Sequence, residues 1–281
     1  MSSDILVDGA WLESHSDDPD LVLVDARPAA AFWKGHLAGA RHYDPRLFSY
    51  NDTTPSGVKA FVAQSEWIFS ALGVTADARV VFYEDRSDIG VVRAAWQLEF
   101  LGHRRVAILD GGLAALRQPV LVTNAASFAP SRFKATPTTA LAGVDDVLGS
   151  LEREQVRILD TRRASEYFSE EVRAKRGGII PGALHLDYAF ATDAAGHFKP
   201  ADELRAAYAA LGIKPQDEVI AYCGGGSRAA HSYYALRIAG FPNARVYLGS
   251  WGEWGNRDDL PVETPRRDDA PAQAAPAGAT R

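Results

Sequence analysis

The stretch "VIAYCGGGSRAAHSYYALRIAGFPNARVYLGS", Val219 to Ser250, holds a strand, a loop, a helical run and a second strand in one passage. "VIAY" is short, apolar and β-branched-rich, the pattern of a buried parallel strand. A loop of Cys223, three glycines and Ser227 follows, and a helical run begins near Arg228. The same plan occurs earlier in "VVFYEDRSDIGVVRAAWQLEFLGHRRVAILDGG", Val80 to Gly112. There too a strand ends in Tyr, a polar loop leads into a helical run, and a Gly precedes the next strand.

Working outward, a second pair of segments matches. "VLVDARPAAAFWKGHLAGARHY" (Val22 to Tyr43) and "RILDTRRASEYFSEEVRAKRGGIIPGALHLDY" (Arg157 to Tyr188) each carry an apolar strand ending in Asp-x-Arg. In each, an aromatic segment and a Gly-Ala turn before His come next. The spacings between partners are nearly constant, so the chain is a tandem repeat. Alternating strands and helices predict an α/β fold in which each half is a largely parallel sheet flanked by helices. "DELRAAYAALG" (Asp202 to Gly212) reads as an amphipathic helix with a glycine cap. The expected division is residues 1–122, a linker over 123–142, a second half over 143–263, and a disordered tail over 264–281 rich in Pro and Ala.

Apolar residues form 47% of the chain and charged residues 23%, the balance of a soluble globular protein. A net charge of −6 argues against a general nucleic-acid binder or a partner of anionic membranes. No apolar run is long enough to span a bilayer, and "MSSDILVDGAWLESHSDDPD" lacks the pattern of a signal peptide. The single cysteine excludes an internal disulfide framework and a cysteine-cluster metal site. These features fit a reducing cytoplasm.

Cys223 stands at the C-terminal end of its strand, where open α/β sheets place ligands. Gly224, Gly225 and Gly226 let the backbone turn tightly, so that several N–H groups converge on one point. Such a nest, backed by a helix N-terminus and by Arg228, favours a thiolate, the nucleophilic form. The bland alternative is a small buried hydrophobe, the usual state of a free cysteine. A phosphate cradle without a nucleophile is a third option, but the Lys-Ser/Thr ending of a P-loop is missing.

The repeat, the Asp-x-Arg motifs, "FKAT" (Phe133 to Thr136), "IIPGALH" (Ile179 to His185), "AYCGGGSRA" and "GSWGEWG" (Gly249 to Gly255) resemble the two-domain rhodaneses. These are the thiosulfate and 3-mercaptopyruvate sulfurtransferases, and the resemblance runs from about Leu21 to Leu260. It implies two rhodanese-like domains, the second catalytic and the first without its cysteine. Glu84 stands where Cys223 stands in the second half. It further implies sulfur transfer through a Cys223 persulfide, with a small-molecule sulfur donor, a thiophilic acceptor, and no metal or organic cofactor. The site residues so implied are Cys223, the loop Gly224 to Arg228, and Trp251 as a pocket wall or as aromatic core packing. With Glu166 in place of the family's arginine, Arg173, Lys175 and Arg176 are the candidates for donor-binding charge, Arg176 foremost. Ser227 has an alternative duty as helix cap.

Several features depart from the family pattern. The positions just after the cysteine are glycines rather than basic residues or a hydroxyl, and Glu166 occupies a place where an arginine is usual. A cysteine phosphatase is disfavoured because only four residues, Gly224 to Ser227, separate Cys223 from Arg228, where such loops hold about five. A sulfur-carrier module with little turnover is the remaining competitor. Asp25/Arg27 and Asp160/Arg162 recur in both halves and read as structural ion pairs. His42 and His185 fall at related places, so neither reads as a catalytic base. His231 reads as a helix-surface residue. The first half is expected to cover one side of the active loop.

Overall fold

The computed structural model describes residues 5–265; the segments 1–4 and 266–281 lie outside it, and with them nearly all of the expected tail. The first half runs β1 (Leu6–Val7), α1 (Gly9–Ser14), β2 (Leu21–Asp25), α2 (Ala29–Lys34), β3 (His36–Leu37), β4 (Arg41–His42), α3 (Pro55–Ala71), β5 (Arg79–Tyr83), α4 (Ile89–Phe100), β6 (Val106–Leu109) and β7 (Leu121–Val122). The second runs β8 (Leu141–Ala142), α5 (Val144–Leu148), β9 (Val156–Asp160), α6 (Ala164–Tyr167), β10 (Leu184–His185), α7 (Ala201–Ala210), β11 (Glu218–Tyr222), α8 (Ser227–Ile238), β12 (Ala244–Tyr247) and α9 (Ser250–Trp254).

The repeat seen in the sequence is a repeat of topology. The first sheet has the order β1-β6-β5-β2-β4, and the second has β8-β12-β11-β9-β10. All neighbours in both are parallel. The register repeats as well: Asp25 lies opposite Tyr83, and Asp160 opposite Tyr222. These central strands are apolar on both faces because helices cover both sides. α7 ends as its sequence predicts, with Gly212 at φ +77° just beyond the last turn.

α4 and α8 pack against each other and form the heart of the contact between halves. α4 is buried on nearly every side, which explains why "IGVVRAAWQLEF" is apolar almost all round. The segment expected as a linker is laid along the first half. Ser131 and Thr136 donate to the carbonyls of Ser70 and Leu101 at 2.8 Å each, and the Phe133 ring packs 6.0 Å from Phe69. Its last two residues are not linker at all. Leu141–Ala142 is the edge strand β8, paired with Val246 and Tyr247.

Candidate active site

The site is built at the C-terminal end of β11. Strand, loop and α8 bring Cys223 to a point where its Sγ accepts the Gly226 N–H at 3.1 Å. The loop is held from behind by α9: Trp251 N–H donates to the Cys223 carbonyl at 2.9 Å and Gly252 N–H to the Gly224 carbonyl at 2.8 Å. Ser250 adds a third tie, its Oγ accepting the Cys223 N–H at 3.1 Å and donating to the Tyr247 carbonyl at 2.8 Å. Ser250 takes φ +52°, one of two non-glycine residues in that region among those described. Such strain persists only where the surroundings enforce it, and these bonds do so. With its carbonyls turned back onto α9, the loop is free to present N–H groups to the sulfur.

The glycines are not equivalent. Only Gly226 of the three has positive φ, +88°. A Cβ there would come within 2.9 Å of the Leu248 carbonyl oxygen and 3.3 Å of Arg93 Nη1. Gly225 has open space around it. Gly226 also occupies the N-cap position of α8, so Ser227 is the first helical residue rather than the cap.

Arg228 is at the site, but it is not a free cation. Its Nη1 and Nη2 pair with the Glu166 carboxylate at 2.5 and 2.9 Å. This bidentate pair is why a glutamate occupies the position after the second Asp-x-Arg. Burial opposes the Arg228 charge, while Glu166 and Cys223 favour it and hold its pKa above the ordinary value. Burial likewise opposes the Glu166 charge, but Arg228 prevails and holds its carboxyl below the usual range.

The side chains of two expected residues have other partners. Arg176 donates from Nη1 to the Leu260 carbonyl and from Nη2 to that of Trp254, both at 2.9 Å. Its guanidinium thus ties the end of the second half to its body. Trp251 is buried, with its indole N–H on the Arg176 carbonyl at 3.0 Å and the Arg162 guanidinium 4.6 Å from its ring. It supports the loop through its backbone, and its ring is core rather than pocket wall.

The Asp-x-Arg motifs are buried ion pairs. Arg27 grips Asp25 and the Gly35 carbonyl; Arg162 grips Asp160 and the Gly178 carbonyl. His42 and His185 each place Nε2 at 2.8 Å from the carbonyl of the motif's arginine. His231 is not on a helix surface. It is buried between Phe198 and Tyr188, with Nε2 3.1 Å from the Ser87 carbonyl of the first half. Burial pushes its pKa down to about 4, so it is neutral at pH 7.

The residue missed at the sequence level is Arg93. It is the fifth residue of α4, as His231 is the fifth of α8. Each reaches from its own half toward the loop of the other. Laying the two helices against each other residue by residue was the signal that would have found it.

An α/β chain of two repeats, with one cysteine cradled at a strand end in the second, defines a tandem single-thiol protein. The rhodanese-like domain matches residues 8–118 and again 143–257, and the chain belongs to the rhodanese family. Among its relatives is a thiosulfate sulfurtransferase of Azotobacter vinelandii, 32% identical over 92% of this chain and 97% of that one. A second is the sulfur carrier protein TtuD of Thermus thermophilus, 30% identical over 92% of this chain and 96% of that protein. The crystal structure of SseA from Escherichia coli, described among 3-mercaptopyruvate sulfotransferases, matches with a TM-score of 0.73. It is 29% identical over 88% of this chain and 98% of SseA. No helix among the described residues is long and apolar enough to cross a membrane.

Proposed function

We propose that this protein is a sulfurtransferase that takes the sulfane sulfur of thiosulfate onto Cys223 and passes it to a thiophilic acceptor such as cyanide. The Cys223 thiolate attacks the outer sulfur of thiosulfate. A new S–S bond forms at Sγ, the old S–S bond breaks, and sulfite leaves with the bonding pair. The acceptor then attacks the terminal sulfur of the Cys223 persulfide and returns the thiolate. Both half-reactions conserve charge and need no outside electron source.

The observation that carries this reading is the Gly226 N–H on Sγ at 3.1 Å, beside the start of α8. A preorganised donor aimed at the atom that bears the charge is worth more in a buried site than in water. Names among the relatives support sulfur transfer and divide over the donor. Thiosulfate is favoured because sulfite is a good leaving group as it stands, whereas mercaptopyruvate must have a carbon-bound fragment protonated. The loop offers little for that proton transfer, since Gly225 has no hydroxyl and His231 is turned away and neutral. The likeness to SseA favours mercaptopyruvate as the second reading.

Steady-state rates with both donors and cyanide decide between them. The expected result is a larger kcat/KM with thiosulfate and a mass gain of one sulfur atom on incubation with it. A tenfold preference for mercaptopyruvate, about 1.4 kcal/mol in transition-state stabilisation, reverses the donor assignment. A persulfide that forms without turnover identifies a carrier.

A further inference from the structure

Arg93 poses a question that the second half cannot answer. It lies on α4 of the first half, is 3% exposed, and its Nη1 is buried with no hydrogen-bond partner. No carboxylate is among the groups favouring its charge, which are Tyr43, Tyr50 and Cys223. Removing an isolated guanidinium from water is costly unless something compensates it, and burial here opposes the Arg93 charge. Three rings frame it: Trp96 at 5.0 Å, Phe61 at 5.7 Å and Tyr50 at 5.8 Å. Cation–π contacts of this kind offset part of that cost and leave the charge itself unbalanced.

The position of Nη1 is informative. It stands 3.3 Å from where a Cβ on Gly226 would lie. The Gly226 N–H is the one that touches Cys223 Sγ. The other cation beside the sulfur, Arg228, is matched by Glu166 in a bidentate pair. The polar groups around the sulfur and Arg93 are therefore a neutralised Arg228–Glu166 pair, the phenols of Tyr43 and Tyr50, the Ser250 hydroxyl, and one unmatched positive charge.

We propose that Arg93 is the counter-charge for anionic sulfur on Cys223, delivered across the contact between the halves, so that the active site is completed by both. The proposal rests on the reading of Cys223 as the sulfur-carrying residue. It gives the first half a chemical duty beyond cover. It also accounts for a costly charge on a helix buried on nearly every side: the charge is tolerated because the site is anionic when thiolate or persulfide is present. Local strain or unfavourable burial of this kind is a mark of function.

The test uses the full chain with Arg93→Met, which keeps an unbranched stem and removes charge, and Arg93→Lys, which keeps charge. Cys223 is alkylated by iodoacetate and by iodoacetamide, reagents of similar size that differ in charge. The expected result for Arg93→Met is a fall of about tenfold in the ratio of the two rates, since a nearby cation attracts the anionic reagent. Thiosulfate:cyanide kcat/KM should fall by a similar factor or more, while Tm stays level or rises. Arg93→Lys should recover most of the rate ratio. An unchanged ratio in folded Arg93→Met overturns the proposal. So does failure of that variant to fold, or a lower Tm, because either makes Arg93 a structural residue. If the wild-type protein gains no sulfur from thiosulfate yet the ratio falls in Arg93→Met, the sulfur-transfer reading fails and the Arg93 assignment stands.

Discussion

Two loops on one scaffold, Tyr222 to Ser227 and Tyr83 to Ile89, end differently. Each follows the same central strand and precedes a twelve-residue helix facing the other half. In the second half the strand is followed by a short thiol, and the loop supplies the Gly226 N–H to it. In the first half the strand is followed by Glu84, whose own carboxyl fills the corresponding space. Its Oε2 accepts the Val91 N–H at 2.8 Å, and its Oε1 pairs with Arg46 at 2.7 Å. A Cβ on Gly90 would lie 2.5 Å from that oxygen, so the fit is close. The backbone N–H at the helix start thus has a side-chain partner in both halves. In one it is the Cys223 sulfur; in the other it is the Glu84 carboxyl.

The contrast breaks first, and hardest, at the strand ends. Cys223→Ser should lower sulfur transfer by at least about 10³-fold, because a hydroxyl is a far poorer nucleophile than a thiolate at neutral pH. Its Tm should stay near wild type. Glu84→Ala should change kcat/KM by no more than a few-fold. Comparable losses in the two variants would mean that the first-half loop takes part in the chemistry.

The glycines give the next effect in size. Gly226→Ala puts a Cβ against the Leu248 carbonyl at 2.9 Å and forces an L-residue to φ +88°. The backbone cost alone is about 1–2 kcal/mol, and the N–H that touches Sγ must move to relieve it. Transfer should fall by tenfold or more. Gly225→Ala meets open space and negative φ, so its rate should remain within about twofold of wild type. Equal losses at 225 and 226 would show that backbone freedom across the whole loop, rather than one left-handed residue, shapes the site.

The fold was legible because its signals are local and repeated. Strands such as Val219 to Tyr222 carry their burial in their composition, and the second copy doubles every cue. The loop after Cys223 was legible as a tight turn from its glycines, and the structure shows that turn bringing the Gly226 N–H to a buried thiol at 3.1 Å. The charge map was not. Arg228 pairs with Glu166, 62 positions away, and Arg176 closes on carbonyls about 80 positions away. Nothing in the periodicity of either segment encodes such partners. Arg93 was hidden because a lone cation in an apolar helix reads as a surface residue until a second helix is known to cover it. His231 misled for the same reason: α8 has no exposed face where it meets α4.

The smallest effect comes from Glu84, and it is one of pH rather than rate. Burial pushes its carboxyl up to about 7, against the pull of Arg46 and the Val91 N–H. The folded protein therefore holds this proton more tightly than the unfolded chain does, whose carboxyl titrates near 4.5. The resulting contribution to stability is fully present below about pH 4.5, is lost as pH rises through about 7, and is constant above that. Its upper bound is roughly 3.5 kcal/mol, from a rise of 4.5 to about 7 at about 1.4 kcal/mol per pKa unit. Glu84→Gln keeps the shape and cannot ionise. Urea denaturation of both proteins at pH 5 and pH 8 isolates the effect, since groups common to the two cancel in the difference. The wild-type protein should lose stability relative to Glu84→Gln by about 1–3 kcal/mol between those pH values, with sulfur transfer little altered. A difference that is flat, or that grows in favour of wild type, would mean that Arg46 holds Glu84 ionised throughout. The first-half loop would then carry a permanent internal anion, and its inertness would owe more to charge occupancy than to shape.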